Sequence, residues 1–256
     1  MGLEGKTVII TGASKGLGAR ACRVLAEAGA SVLGLARSGD ELAALKKDLN
    51  RDGLAFDFAV VDLIAEDAAA TLSDLMKAQV PDVFINNAGS TRPAAFQDVT
   101  VDDFDEIMRL NVKAGFFASQ VAVKAMLAAP ETQETRSVIH MSSMLGQVAL
   151  PGRSVYAATK HALEGLTKAM ALDLASNRIR VNSICPTYIE TPMTRPLMEN
   201  QAFKAFVAQR LPLSSDDQPI GKIDDLDGAL LYLSDSSLSA FVTGSNVVVD
   251  GGWTAQ

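Results

Sequence analysis

Short apolar runs alternate along the chain with longer stretches whose apolar positions recur every three or four residues. Thr7–Thr11 (TVIIT) is apolar at consecutive positions, as in a strand covered on both faces, and residues 16–29 read as a helix closed by glycine. The same alternation predicts strand Ser31–Ala36, a helix over 40–52, a strand over 55–61, a helix over 65–78 and a strand over 82–86. Thr100 stands three residues before Asp103, a capping spacing that opens a long helix whose apolar face includes Phe104, Ile107, Met108 and Phe116. A strand over 137–141, a helix after Ser154, a strand over 179–184 and strand Asn246–Val249 complete the rhythm. Strands that take turns with helices pair in parallel, so the chain is expected to be α/β: a doubly wound parallel sheet of about seven strands with helices on both faces.

No linker rich in Pro, Gly or Ser divides this rhythm and no internal repeat interrupts it, so residues 1–256 are expected to form a single domain. Two stretches depart from the alternation. Residues 186–212 hold four prolines and a short helical pattern near 200–209, and residues 214–221 are polar. Excursions after a strand's carboxyl end are where α/β folds build substrate sites, so an insertion over about 187–221 is expected to act as a substrate lid.

Between the first strand and the first helix lies Thr11-Gly12-Ala13-Ser14-Lys15-Gly16-Leu17-Gly18. Glycines 12, 16 and 18 permit a tight turn and close backbone approach to a pyrophosphate, which the N–H groups of the helix start would bind. The second strand bears on the nucleotide. An NAD-type site wants a carboxylate at its end for the ribose 2′-hydroxyl, and here the strand ends Leu35-Ala36-Arg37-Ser38, with no acid until Asp40. Arg37 could pair with a 2′-phosphate and Lys15 could reach the same group, which favours NADP(H) over NAD(H).

Ser142-Ser143 is followed by Tyr156-Ala-Ala-Thr-Lys160. A tyrosine and a lysine four apart share a helix face. A free phenol titrates near pH ~10, too weakly acidic to act as a base at neutrality, and a neighbouring ammonium is expected to lower that value. A serine hydroxyl beside it could hold a substrate oxygen while Tyr156 exchanges a proton. Asn111 falls on the apolar face of its helix, three residues after Met108, where a buried amide needs partners.

These motifs together resemble the short-chain dehydrogenase/reductase family in its short, single-domain branch. TGASKGLG at 11–18 matches that family's TGxxxGxG, Asn86-Asn87-Ala88-Gly89 its NNAG, and Asn111, Ser143, Tyr156 and Lys160 its catalytic tetrad in order and spacing. Ser143, not Ser142, stands thirteen positions before the tyrosine as the family's serine does. The resemblance runs from about Gly5 to Trp253 and implies a Rossmann-like fold and hydride transfer between nicotinamide and a carbonyl or alcohol. It implies that Gly12, Ser14, Lys15, Gly16, Leu17, Gly18 and Arg37 hold the cofactor. Asp62 and Leu63 would contact adenine, and Asn87, Ala88 and Gly89 would line the adenosine side. Ile189 and Thr191 would hold the carboxamide, Lys160 the nicotinamide ribose, and Asn111 a water in a proton relay to the lysine. Tyr156 touches both cofactor and substrate in this scheme, and Ser143 the substrate. A homotetramer or homodimer, joined through the helices carrying Asn111 and Tyr156, is also implied. One departure is Pro186-Thr187 in place of the family's usual Pro-Gly, which puts the backbone near the nicotinamide in question.

Composition narrows the alternatives. A net charge of −7 and a pI near 4.9 argue against a nucleic-acid surface. No apolar run is long enough to span a membrane, and residues 1–10 lack the basic start of a secretion signal, so the expected compartment is the cytoplasm. Cys22 and Cys185 show no pairing pattern, and with His140 and His161 as the only histidines no metal site is expected. The function read from the sequence is an NADP(H)-dependent oxidoreductase interconverting a ketone and a secondary alcohol. Competing readings are an NAD-preferring sugar or polyol dehydrogenase, a 3-oxoacyl thioester reductase, and a non-catalytic NADP-sensing regulator or scaffold. Val148, Ala149, Leu150 and Tyr188 are expected to border the substrate, with Met193 and Met198 above it, an apolar lining that predicts a medium-sized neutral compound.

Overall fold

The computed structural model describes residues 2–130, 133–192, 194–215 and 218–255; Met193 therefore lies outside the described residues. The chain runs β1 (Thr7–Thr11), α1 (Gly16–Glu27), β2 (Ser31–Ala36), α2 (Gly39–Arg51), β3 (Phe56–Val60), α3 (Ala68–Ala78) and β4 (Val83–Asn86). Helix α4 (Val101–Met108) passes through a π-helical turn, Arg109–Ala114, straight into α5 (Gly115–Ala128). Then follow β5 (Arg136–Met141), α6 (Ser154–Leu174), β6 (Ile179–Pro186), α7 (Arg195–Met198), α8 (Gln201–Ala208), α9 (Asp227–Ser234), α10 (Ser236–Ser239) and β7 (Asn246–Val249).

The strands form one sheet in the order β3-β2-β1-β4-β5-β6-β7, every neighbouring pair parallel, as the alternating pattern predicts. Successive side chains of a strand point to opposite faces. In β1, Val8 and Ile10 pack into the core on one side while Ile9 packs into the core on the other. That two-sided burial explains why TVIIT is apolar without a gap, each fully covered aliphatic side chain contributing about 1.5–3 kcal/mol. Strand order reverses between β1 and β4, so the loops leaving those two strands diverge and open a crevice at the carboxyl edge.

A third apolar cluster seats Tyr188, Met198 and α8 on the body of the fold. Tyr188 packs against Phe203 and Trp253 with ring centroids 5.3 and 5.6 Å apart, and Val207 and Leu211 are buried beside Met144 and Leu145. The helix expected near 200–209 is α8, its start capped by Asn200 Oδ1, which accepts from the Phe203 N–H at 3.0 Å. Thr100 caps α4 as predicted, accepting from the Asp103 N–H at 3.1 Å.

The apolar face drawn along that helix needs correcting. Ile107 is buried, but Phe104 and Phe116 are 44% and 43% exposed. The π turn inserts an extra residue per turn between them, so the face extrapolated from Ile107 no longer aligns by Phe116. Among the described residues no helix is long and apolar enough to cross a membrane.

Candidate active site

The crevice is a cleft of about 690 Å³. Every catalytic and cofactor-binding residue expected from the sequence lines it except Asn111. At one end stand the Gly12–Gly18 loop, Arg37 at the end of β2, Asp62 and Leu63 after β3, and Asn87 and Ala88 after β4. Gly12 and Gly16 hold φ of +66° and +56°, a conformation that strains any residue with a Cβ. A Cβ on Gly18 would collide with the Gly12 carbonyl oxygen, and one on Gly12 would lie 2.9 Å from Ala88 Cα. Asn87 does not merely line this end. Its Nδ2 donates to Thr11 O at 3.0 Å and Gly12 O at 3.1 Å, while the Asn87 and Ala88 N–H groups donate to Thr11 Oγ1 at 3.0 and 3.1 Å. The motif after β4 thus braces the loop after β1.

Helix α1 begins in this loop with no side-chain cap and no acid in its first turn, leaving its first N–H groups and positive dipole end for an anion. The cradle fits a dinucleotide pyrophosphate. Arg37 is exposed at its edge and, among the described residues, has no ion pair. Lys15 is 3.7 Å from Glu41, a residue the sequence reading passed over. Glu41 also bonds Ser14, and that bond, with Lys15 beside it, holds the Glu41 carboxyl below the usual carboxylate range. Its position directly after Asp40, in the first turn of α2, was the available signal.

At the other end stand Ser143, Tyr156, Lys160, Ile189 and Thr191. Ser143 Oγ accepts from the Leu145 N–H at 3.2 Å and donates to Pro186 O at 3.4 Å, which fixes the hydroxyl beside Tyr156. Lys160 is buried, its Nζ 5.4 Å from the Tyr156 ring centroid and donating to Met141 O at 2.8 Å. Burial brings the ammonium down to about 8, with Cys185 and Glu164 working against the shift. The Tyr156 phenol departs from the sequence expectation. Burial raises it, and the Ser143 hydroxyl and Arg153 charge only partly offset this. The cost of removing a phenolate from water outweighs the help of nearby groups.

Asn111 is buried within the π turn and does not reach the cleft. Its Oδ1 accepts from the Ser90 N–H at 2.9 Å, and its Nδ2 donates to Ser90 O at 2.9 Å and Thr159 Oγ1 at 3.2 Å. The amide ties the loop after β4 to α6, between Tyr156 and Lys160. Thr187 shows no strain: glycines and Arg178 alone have positive φ among the described residues, and the Thr187 N–H donates to Val249 O at 3.3 Å. Of the residues expected to border the substrate, Tyr188 does. Val148, Leu150 and Met198 instead pack into the third apolar cluster, and Ala149 is absent from the cleft wall. Ser90, Thr91, Arg153 and Leu197 line the cleft without having been singled out. Only Arg153 carried a signal, three residues before Tyr156 and so on the same helix face.

Comparison with known proteins agrees with this geometry. The short chain dehydrogenase family profile matches residues 6–202. The chain is 32% identical over 256 residues to gluconate 5-dehydrogenase of Gluconobacter oxydans (strain 621H), covering 99% of this chain and 96% of that one. It is 34% identical over 254 residues to 3-oxoacyl-(acyl-carrier-protein) reductase FabG of Thermotoga maritima, covering 98% and 99%. A crystal structure of a gluconate 5-dehydrogenase from Burkholderia cenocepacia J2315 in complex with NADP and tartrate superposes with a TM-score of 0.90 at 33% identity, covering 99% of this chain and 97% of that one. Sheet order, phosphate cradle and full-length similarity agree: the chain belongs to the short-chain dehydrogenase family and is an NAD(P)-dependent oxidoreductase acting on a CH–OH group.

Proposed function

We propose that the protein reduces a ketone to a secondary alcohol with NADPH, and runs the reverse oxidation with NADP+, with Tyr156 as the proton donor and acceptor. The observation that carries this reading is a half-buried phenol flanked by Ser143 and Lys160 in the same cleft as the Gly12–Gly18 cradle. Bound NADPH supplies the hydride that goes to the carbonyl carbon. Ser143 and Tyr156 hold the carbonyl oxygen, and Tyr156 gives it the proton that completes the alcohol. A phenol raised by burial stays protonated at neutral pH, the state reduction requires of an acid. Lys160 restores the balance afterwards: its ammonium, within reach of neutrality, favours the transient phenolate. Asn111 is a positioning residue that fixes Ser90 and α6 relative to each other.

The choice of NADPH rests on Arg37, exposed and free of an ion pair among the described residues, and on the lack of an acid at the end of β2. An NAD-preferring dehydrogenase would use a carboxylate there. Glu41 is instead engaged with Lys15 and Ser14. Residues 1–256 act as one domain in this reading, with residues 187–221 covering the substrate. The protein works in the cytoplasm as a dimer or tetramer, for which exposed Phe104, Phe116 and Phe117 on α4 and α5 and Leu172 on α6 offer apolar surface.

A panel of ketones assayed with NADPH and NADH in parallel tests the reading. Turnover is expected with a kcat/KM about tenfold or more in favour of NADPH, the scale of one charge-assisted hydrogen bond. NADH preference, or no turnover of any ketone or aldehyde, counts against it.

A further inference from the structure

Most described arginines are committed to partners. Arg20 pairs with Asp227, Arg23 with Asp48 and Asp52, Arg92 with Glu106 and Arg195 with Glu190. Arg136 and Arg180 donate to main-chain carbonyls. Arg37 and Arg153 differ: both line the cleft, at opposite ends, and neither has a carboxylate partner among the described residues. Arg37 has its place in the account of NADPH. Arg153 does not.

Arg153 is partly buried at the N-cap position of α6, three residues before Tyr156. Its backbone is fixed from both sides. The Arg153 N–H donates to Leu150 O at 3.2 Å, Arg153 O accepts from the Ala157 N–H at 2.8 Å, and Gly152 O accepts from the Ala94 N–H at 3.2 Å. The side chain is held as well, Nη1 donating to Thr91 Oγ1 at 3.2 Å. Its Nε and Nη2 have no acceptor among the described residues. A guanidinium tethered by one nitrogen and open at the others is prepared for an anion, because a planar carboxylate takes two parallel N–H donors. Among the described residues the only acid on the cleft wall is Asp62, after β3 at the adenosine end. Helix α6 starts at Arg153 with no side-chain cap and no acid in its first turn, so its dipole adds positive potential there. The Arg153 charge is felt by both phenols of this end, Tyr156 and Tyr188.

We infer that Arg153 is the specificity-determining residue of the substrate end and that the substrate is an oxo acid or hydroxy acid, its carboxylate on Arg153 and its reacting carbon at Tyr156. This rests on the carbonyl–alcohol reading of Tyr156. It replaces the neutral substrate that the apolar lining predicts, because periodicity and composition do not show that Arg153 lines the cleft with no carboxylate partner among the described residues.

The test pairs 5-oxogluconate with its uncharged methyl ester under saturating NADPH, and titrates tartrate into the enzyme–NADP+ complex by calorimetry. Wild type is expected to favour the acid over the ester about tenfold or more in kcat/KM. Arg153→Gln is expected to lose about 30-fold on the acid, chiefly in KM, against about threefold or less on the ester, with tartrate affinity falling alongside. Arg153→Lys, which keeps the charge and loses the fork, falls between the two. Equal losses on acid and ester, or a wild-type complex that binds tartrate no better than Arg153→Gln, would overturn the inference. If neither compound turns over, the hydride-transfer reading is what fails for this pair, and the tartrate titration still decides Arg153. Thermal melting of Arg153→Gln and Arg153→Lys separates lost recognition from lost folding.

Discussion

At the proposed adenosine end the cleft is walled by backbone: three glycines, the first turn of α1, and the main chain that Thr11 Oγ1 and Asn87 Nδ2 hold in place. At the other end it is walled by side chains that ride on separate elements, Ser143 after β5, Tyr156 and Lys160 on α6, and Ile189 and Thr191 after β6. The first kind of wall is local, set by φ angles that a few glycines permit. The second depends on buried polar contacts beneath it, which keep strands and helices in register. His140, on β5, is part of that foundation. It is fully buried, with Nδ1 2.9 Å from Thr167 Oγ1 on α6 and Nε2 3.4 Å from Ser119 Oγ on α5. The next residue, Met141, offers the carbonyl that holds Lys160. The two ends should therefore fail under different insults.

Acid should strike the substrate end's foundation hardest. Burial, and then the Lys160 charge, bring His140 from 6.5 down to about 4. The unfolded chain takes up the proton first as pH falls, so the stability contribution present above pH 6.5 is lost progressively between 6.5 and 4. Across that window the single residue is expected to account for about 3 kcal/mol of unfolding free energy. Urea titrations at a series of pH values should show this slope in wild type and a flatter one in His140→Asn, whatever the variant's own stability. A slope that survives the substitution would assign the acid sensitivity to other groups. A smaller effect belongs to the adenosine end. Arg37→Ala is expected to weaken NADPH binding about tenfold while NADH binding moves about twofold or less, read by fluorescence titration. Equal weakening of both nucleotides would mean that Arg37 supports the loop and does not read the 2′-phosphate.

The same contrast explains what could be read in the sequence. TGASKGLG was legible because its requirement is local: a turn, a close approach and a helix start within eight consecutive residues. The sheet was legible where two-sided burial leaves a continuous apolar run, as in β1; β6 is buried throughout although Arg180, Asn182 and Ser183 interrupt its apolar pattern. Tyr156 and Lys160 share a helix, and their spacing declares a common face. Legibility fails where the third dimension decides. Thr91 and Arg153 lie 62 positions apart and meet only when the loop after β4 folds onto the start of α6. Phe116 was placed on a buried face because a π turn leaves no trace in the spacing of apolar residues. The phenol's direction of shift was misread for a similar reason. The lysine is visible in sequence, whereas the burial that raises the phenol against Ser143 and Arg153 is not.

In the proposed reaction the Tyr156 hydroxyl delivers the proton in a site whose nucleotide cradle is built independently of it. Single-turnover reduction of a ketone accepted by the wild-type enzyme, measured with preformed NADPH complexes of wild type and Tyr156→Phe, tests it most directly. The expected result is a rate about a thousandfold lower in the variant, with NADPH affinity changed about threefold or less. Hydride transfer at near wild-type rate in Tyr156→Phe, or loss of nucleotide binding together with activity, would contradict it.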